Sequence, residues 1–284
     1  MIFRLGLRRI SFLAFLFACT SYSNSQDTKS IEADLRQNYE QKILSLRKPY
    51  FGKALRFDST GNLTNQAMPG PWSTCGLLQV EKIKVNREGV EVDGKRVILA
   101  LRSNETEHAA ATKKVQVVPA LTNDDIRIHM QVSPSDTKQV NKALAQIFQS
   151  GELLDRVSAY WKPMTNDVKA FRASTPDGVF GELDGNRPVY LVNPGVTAPP
   201  KALYTPEPEY TDAARRSRTE GTAQLSVIIN EAGFPEVLEI VEGLGEGLDI
   251  NALSTVAKWR FHPALRAGKP VAAMIYVEVT FHLR

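Results

Sequence analysis

Cysteine is scarce in this sequence: the 284 residues contain only Cys19 and Cys75. Two cysteines allow at most one intramolecular disulfide, so the chain is not a disulfide-stapled scaffold. It has no CxxC pair, and its four histidines show no metal-ligand spacing, so we expect no metal and no cofactor. Long apolar runs are also absent. The run from Ile10 to Ala18 is roughly half of the ~20 residues that a membrane-spanning helix needs.

Acidic residues are absent before Asp27, whereas Arg4, Arg8 and Arg9 precede the apolar run. The formal charge is +4, and without these three arginines 32 Lys and Arg would face 31 Asp and Glu, a net charge of +1. The basic balance therefore belongs mostly to the N-terminus. Because no basic block occurs elsewhere, a nucleic-acid partner is not expected.

Residues 1–25 have the pattern of a secretory signal: basic residues, a short apolar run and then small polar residues. Two processing routes stay open. The tetrapeptide ending at Cys19 resembles a lipobox and makes Cys19 a lipidation candidate, while the serines at 21, 23 and 25 offer ordinary cleavage sites. We expect an exported protein that contacts the membrane only if this segment is retained or lipidated.

Residues 26–175 are predicted to form a β-rich domain with one or two helices. An alternating stretch at 77–85 followed by Asn86-Arg87-Glu88-Gly89 predicts a hairpin, and Asp93-Gly94 predicts another turn. A further hairpin is predicted around the polar residues 122–125. No family function can be matched to this domain from its sequence.

Helical spacing replaces alternation after Ser135. Apolar residues recur from Val140 to Phe148 and again from Leu153 to Trp161, which predicts helices at the end of the domain. Between Pro176 and Pro208 lie seven of the sixteen prolines. Because proline removes backbone donors and fixes φ, residues 176–205 are predicted to be an extended linker, apart from a short strand near 189–192.

Residues 206–284 show the pattern of a small α+β domain. A short helix is predicted at 210–218, followed by a hairpin made of TAQLSVIIN and FPEVLEIVE and by a helix from Leu248 that ends before Pro263. Gly268 and Pro270 then turn the chain into a final strand. Trp259 and Phe261 are interpreted as packing residues at the end of the core, with Arg260 pointing away or capping carbonyls.

The helix between the second and third strands is a crossover, so the third strand should pair with the first, and both others should be edges. Pro235 and three glutamates discourage pairing along the second strand. The last strand is then the open edge for an added peptide. Its candidate partner-binding residues are Ala272, Ala273, Met274, Ile275, Tyr276, Val277, Glu278, Val279, Thr280 and Phe281.

These motifs, in this order, resemble the C-terminal domain of TonB energy transducers. The resemblance is carried by PEYTDAARRSRTEG, by NEAGFPEVLEIVEGLGEGLDINAL and by WRFHPALRAGKPV followed by a strand. It implies a ββαβ domain, with a three-stranded sheet, that binds a short box segment of an outer-membrane transporter in a Gram-negative-type cell envelope. That segment would pair with the final strand, and Glu209 and Tyr210 would flank it.

The chain departs from that family in two respects. The family usually has Tyr-Pro where this chain has Tyr210-Thr211. TonB proper also has a membrane anchor that engages a motor and a long proline-rich rod, in place of which this chain shows a short signal, a β-rich domain and a linker. Energy coupling would therefore require that the N-terminal segment is retained.

Three hypotheses follow, of which a non-enzymatic periplasmic protein that binds a transporter or another envelope partner is the first. The alternative is a scaffolding envelope protein that uses the same domain to form a homodimer. An enzyme in residues 26–175 comes third, because the acid-base groups near His108 and His129 have no nucleophile signature beside them. The glycines at 243, 245 and 247 fit a tight turn better than a phosphate loop, since Glu246 would repel phosphate.

Overall fold

The computed structural model describes residues 16–104, 114–149, 161–163, 178–192 and 198–283. Within them, five helices and fifteen strands follow one another along the chain. They are, in order, α1 (Leu16–Tyr39), β1 (Ile43–Leu46), β2 (Ala54–Phe57), α2 (Trp72–Cys75), β3 (Leu77–Asn86), β4 (Gly89–Asn104), β5 (Lys114–Met130), α3 (Thr137–Ile147), β6 (Phe148–Gln149), β7 (Trp161–Pro163), β8 (Val179–Leu183), β9 (Arg187–Leu191), β10 (Lys201–Tyr204), α4 (Asp212–Ser217), β11 (Gly221–Ile229), β12 (Pro235–Glu242), α5 (Leu248–Val256), β13 (Arg260–His262), β14 (Ala264–Arg266) and β15 (Lys269–Phe281).

One mixed sheet runs through the described residues and confirms the predicted α+β class. Its main order is β6-β1-β3-β4-β12-β11-β15-β9-β8-β7, with β2, β5 and β14 joined beside this path. Strands from the N-terminal region and from the C-terminal domain are therefore hydrogen-bonded neighbours. β10 and β13 form a separate two-stranded sheet.

The hairpin predicted after residue 85 is confirmed, because β3 and β4 pair up to Asn86 and Gly89. The turn predicted at Asp93-Gly94 is wrong, since β4 passes straight through both residues. A Cβ at Gly94 would clash with the carbonyl oxygen of Gln79, next to a register shift in the β3–β4 ladder. Glycine is needed here for close approach of two strands rather than for a turn.

The second predicted turn, at residues 122–125, is also wrong, because β5 is continuous from Lys114 to Met130. The ladder to β4 shifts register between Lys95 and Val97, so the polar residues form a bulge opposite Arg96. Thr122 Oγ1 donates to the Arg96 carbonyl at 2.9 Å. A cluster of polar residues that is typical of a turn can therefore form a bulge within a continuous strand instead.

The helix predicted from Val140 is confirmed as α3, and its residues Val140, Leu144 and Ile147 are buried. Asp136 caps it by accepting hydrogen bonds from the amides of residues 138 and 139. Of the helix predicted from Leu153 to Trp161, residues 153–160 lie outside the described residues. Trp161 is described, and it is the first residue of strand β7 rather than part of a helix.

Helix α1 is part of the N-terminal packing rather than a separate arm. Ile31 and Leu35 are buried in the same core as α3, and Cys19 lies on the same helix. Among the helices that the structure describes, none combines the length and the apolar composition that a membrane span requires.

The expectation of an extended linker is corrected for residues 178–188, while the short strand expected near 189–192 is present as part of β9. β8 and β9 form an antiparallel hairpin there, and β9 joins the sheet. Its turn residues Asp184 and Gly185 have φ of 50° and 74°, the conformation of a type I′ turn. This Asp-Gly pair is the sequence signal for the hairpin. Pro188 is tolerated because it lies near the start of a short strand.

Candidate functional site

The C-terminal domain places its last strand where the crossover argument predicts. β15 pairs antiparallel with β11 from Ala273 to Phe281, and β12 pairs with the other side of β11. One face of these strands packs against α5 and α4 in a core that also contains Ile98 and Ala120. The domain core is thus completed by side chains of the N-terminal strands.

Side chains of β15 alternate as predicted along its second half. Val277, Val279 and Phe281 are buried against the helices. Tyr276, Glu278 and Thr280 are exposed on the opposite face, and Tyr276 keeps 54% of its surface exposed. A peptide strand added beside this half of β15 would have the apolar row of Val277, Val279 and Phe281 next to it on one face of the sheet. On the other face it would have the exposed row of Tyr276, Glu278 and Thr280.

The edge of β15 is open over only part of the predicted length. Ala272, Ala273 and Met274 pair in parallel with Val189, Tyr190 and Leu191 of β9. From Ile275 to Phe281, no strand of the described residues pairs with the outer side of β15. The expectation of an open edge along all ten residues is therefore corrected to these seven.

Strand β12 is not an edge either. Its residues Leu238–Ile240 pair in parallel with Ala100–Arg102 of β4, although Glu239 lies in the middle of this ladder. Only three residues are paired, so Pro235 and Glu242 lie outside the contact. Charge and proline limit this pairing to a short segment but do not prevent it.

The β8–β9 hairpin is attached to the C-terminal domain through Arg187. Its Nη2 lies 2.6 Å from Glu236 Oε1 and 2.7 Å from Asp184, and its Nη1 lies 3.1 Å from Glu231. Burial by itself would lower the pKa of Arg187, but hydrogen bonding and charge from Glu236 and then Asp184 hold it well above the ordinary arginine value. The side chain of Glu236 is only 4% exposed, so this contact is a part-buried ion pair.

The predicted flanking residues lie at the far end of β15. The Tyr210 ring packs edge-on against Phe281 with centroids 5.6 Å apart, and its hydroxyl donates to the Thr219 carbonyl at 2.9 Å. Burial raises the pKa of Tyr210, and the charge of Glu220 adds to this effect. The carbonyl of Glu209 accepts from Asn251 Nδ2 at 2.7 Å, so the backbone at 209 is held to α5.

Thr211 stands where the family usually has proline and makes two specific contacts. Its Oγ1 accepts from the Ala214 amide at 3.0 Å, which caps α4, and donates to the Glu246 carbonyl at 2.7 Å. The departure from Tyr-Pro therefore ties the start of α4 to the 243–247 turn.

The residues of the Trp-Arg-Phe motif have structural roles. Trp259 Nε1 donates to the Pro206 carbonyl at 3.3 Å, and Phe261 is buried in the domain core. Of the two alternatives for Arg260, the structure has the capping of carbonyls, with Nη1 at 2.7 Å from the Trp259 carbonyl. Its guanidinium also lies over the rings of Phe51 and Phe234, at 4.6 and 4.7 Å from their centroids. Of the other motif residues, Pro263 separates β13 from β14, Gly268 forms the β14–β15 turn, and Pro270 pairs with Leu265.

A cavity of about 180 Å³ lies between the N-terminal strands and the end of α5. Among its lining residues are Cys75 and Arg96. Arg96 donates to the carbonyls of Cys75, Tyr50 and Gly52, and burial lowers its pKa. Burial also disfavours the charged form of Cys75 and therefore raises the pKa of its thiol, which makes a reactive thiolate unfavourable.

Acidic residues near this cavity are used in ion pairs. Asp124 contacts Lys258 Nζ at 2.7 Å, and Asp125 contacts Lys95 Nζ at 3.0 Å. Over the part of the chain that the structure describes, no three His, Cys, Asp or Glu side chains are grouped as a metal site. Glu105, Glu107 and His108 lie outside the described residues.

The fold and the site define a class: an α+β domain whose last sheet strand is partly open to a further strand. Residues 206–283 match the family described as Gram-negative bacterial TonB protein C-terminal. These residues therefore form a TonB C-terminal domain, as the resemblance implied.

Two curated relatives and one solved structure share this region. Protein tonB2 of Pseudomonas aeruginosa is 35% identical over 82 residues, which are 28% of this chain and 30% of that protein. Protein TonB of Vibrio cholerae is 29% identical over 97 residues, or 31% of this chain and 40% of that protein. A solution NMR structure of the P. aeruginosa TonB CTD matches 33% of this chain and 95% of its own, with 25% identity and a TM-score of 0.25. The chain spans less than half the length of the two curated relatives.

Proposed function

We propose that this protein is a non-enzymatic component of the bacterial cell envelope that binds an extended peptide by strand addition to β15. The peptide would come from an outer-membrane transporter on the periplasmic side, and the protein would reach that compartment through its N-terminal signal. The observation that carries the proposal is the edge from Ile275 to Phe281 within a TonB C-terminal domain, which no strand of the described residues pairs. Energy coupling would additionally require a retained N-terminal segment.

Comparison with another edge of the same sheet supports a binding role. Beyond its pairing with β1, the outer side of β3 is covered by α1: Glu32 accepts from the Val85 amide at 2.8 Å, and Glu40 accepts from the Ile83 amide at 2.9 Å. Arg36 donates to the Ile83 carbonyl at 3.1 Å. Such covering protects an edge from further pairing. Along Ile275–Phe281, by contrast, no strand of the described residues pairs with the outer side of β15.

The size of the open edge sets the length of the ligand. Alternate residues of a strand direct both their amide and their carbonyl to the same side, so about three or four of these seven residues offer hydrogen-bonding groups outward. A peptide of roughly five to seven residues would satisfy them. Tyr276 would contact the peptide on the exposed face.

The proposal is tested with the isotope-labelled full chain and box peptides from the transporters of its organism. We expect amide NMR shifts concentrated at Ile275–Phe281, and Tyr276→Ala should weaken binding about fivefold, as loss of a cross-strand contact does. Tyr204→Ala is the matched control, because Tyr204 is 60% exposed on β10, away from this edge. Absence of shifts at millimolar peptide, or equal effects of the two variants, would contradict the proposal.

A further inference from the structure

Strand β9 contacts β15 in the way that an added peptide strand would. It runs parallel to β15 and pairs with Ala272, Ala273 and Met274, directly before the open segment that begins at Ile275. β9 belongs to a hairpin that precedes the TonB C-terminal domain in the chain, outside the residues that match the family. The part of the β15 edge formed by Ala272–Met274 is therefore paired with a segment of the same chain.

The side chains of β9 alternate between two environments. Val189 and Leu191 are 0% and 4% exposed and lie in a cluster with Met274, Ile228 and others. Between them, Tyr190 is part-exposed, and the guanidinium of Arg266 lies 4.6 Å from its ring centroid. The C-terminal domain thus provides an apolar floor for two aliphatic side chains separated by one residue.

A charged anchor lies two residues before this apolar pair. Arg187 reaches Glu236 and Glu231, both of which belong to the C-terminal domain, at 2.6 and 3.1 Å. Both terminal nitrogens of the guanidinium are used, at an angle that a lysine ammonium cannot reproduce. The floor and the two carboxylates together form a groove that fits the sequence Arg-x-aliphatic-x-aliphatic.

We propose that β9 is an internal occupant of the docking groove, and that a partner bearing an Arg-x-aliphatic-x-aliphatic segment binds there, parallel to β15, in place of β9. This inference rests on the proposed function, because it assigns the remaining residues of the same edge, Ala272–Met274. It makes the β8–β9 hairpin an autoinhibitory element that restricts wild-type binding to Ile275–Phe281. It also predicts that weakening the hairpin increases affinity for such peptides.

The test uses a fluorescein-labelled peptide that copies residues 186–192, Asn-Arg-Pro-Val-Tyr-Leu-Val, and the full chain. In the variant Arg187→Ala, the ion pairs from β9 to the C-terminal domain are lost, while Glu231 and Glu236 themselves are unchanged. We expect this variant to bind the peptide at least tenfold more tightly than the wild-type chain, as measured by fluorescence anisotropy. A peptide with alanine in place of its arginine should lose at least tenfold on the same variant.

Two further variants keep the result interpretable. Arg187→Lys retains the charge and should bind between the wild type and Arg187→Ala. Leu191→Ala weakens β9 through the loss of apolar packing rather than of an ion pair. This variant should also bind the copied peptide more tightly than the wild type. Circular dichroism of each variant verifies that it is folded.

Amide NMR separates this inference from the proposed function. Shifts at Ala272–Met274 in Arg187→Ala, absent in the wild type, would support the internal-occupant role. Equal affinity in both proteins, with shifts only at Ile275–Phe281, would overturn it and leave the proposed function standing. Failure of both the copied peptide and the box peptides to shift any residue of β15 would overturn both.

Discussion

At the scale of single residues, Arg260 connects the family motif to the N-terminal region. Its guanidinium lies over Phe51, which precedes β2, and over Phe234, which follows the β11–β12 turn. The two rings are themselves 4.9 Å apart. Burial lowers the pKa of Arg260, because desolvation disfavours the charged guanidinium. A residue of the TonB C-terminal motif therefore contributes to contact between the two regions.

We predict a measurable coupling between Arg260 and Phe51. Arg260→Met keeps much of the side-chain volume but removes the cation, and should lower the free energy of unfolding by about 1 to 2 kcal/mol. A double-mutant cycle with Phe51→Leu, followed by urea unfolding, should give a coupling energy of about 1 kcal/mol. Arg215→Met, which loses a longer cation–π contact to Tyr210, should show no coupling with Phe51. If the effects of Arg260→Met and Phe51→Leu on the free energy of unfolding were additive, the predicted coupling between the two side chains would be refuted.

At the scale of elements, the C-terminal hairpins depend on glycines with positive φ, but for different reasons. Gly233 has φ of 81°, and a Cβ there would clash with the carbonyl oxygen of Phe261. Gly268 has φ of 75° in the β14–β15 turn, and a Cβ there would extend into open space, with nothing within 4 Å beyond its chain neighbours. The β11–β12 turn is thus pressed against β13, and the Phe261 amide donates to the Gly233 carbonyl at 3.0 Å.

Alanine substitutions should separate backbone strain from steric clash. Gly268→Ala should cost about 1 kcal/mol, because only the unfavourable φ is imposed. Gly233→Ala should cost at least about 3 kcal/mol, because the turn must also move away from β13. Both values follow from urea unfolding of the full chain. Equal costs would show that the Gly233 contact is readily relieved.

At the scale of the whole molecule, the TonB C-terminal domain is bordered on both sides by strands from outside it. β4 pairs with β12, and β9 pairs with β15. The face opposite α5 is covered by Phe180, Leu183 and other side chains of the β8–β9 hairpin. Removing the preceding chain would expose two strand edges and an apolar surface at once.

We therefore predict that the fragment 206–284 is less stable than the same residues in the full chain. Its thermal midpoint should be at least about 10 °C lower, since loss of several buried side chains costs a few kcal/mol in a domain of this size. It should also self-associate through its exposed edges in sedimentation experiments. The fragment 178–284 keeps the β8–β9 hairpin, and its thermal midpoint should lie between those of the fragment 206–284 and the full chain. A monomeric 206–284 fragment with the stability of the full chain would contradict the prediction.

Local features of the fold can be read from the residues. The core-facing residues Ala223, Leu225, Val227 and Ile229 of β11, the alternation in the second half of β15, a short helix after Tyr210 and a helix that ends before Pro263 are all present as predicted. The exposed row on β15 also follows from its alternation. These features depend on interactions between residues that are close in sequence, or on the requirement that one face of a strand or helix be buried.

Turns and edges are predicted less well, for a physical reason. Gly94 and Thr122 are residue types typical of turns, yet in the structure they serve a close strand approach and a bulge. Proline density predicts an extended linker at Arg187, where the structure has a strand, and the short strand predicted at Leu191 carries no signal that it pairs with β15. The role of these two residues depends on Glu236 and Met274, which are far away in sequence and offer a charge and an apolar floor.

The sequence by itself determined the period and order of the C-terminal elements, and hence the TonB C-terminal domain and the pairing of β15 with β11. The tertiary structure alone decided what lies beside β12 and β15, and therefore that the open edge is Ile275–Phe281 rather than the whole strand. Side-chain periodicity is a local property of a strand. The choice of a neighbouring strand is not local, because main-chain amides and carbonyls are the same in every strand and only distant packing and charge select the partner.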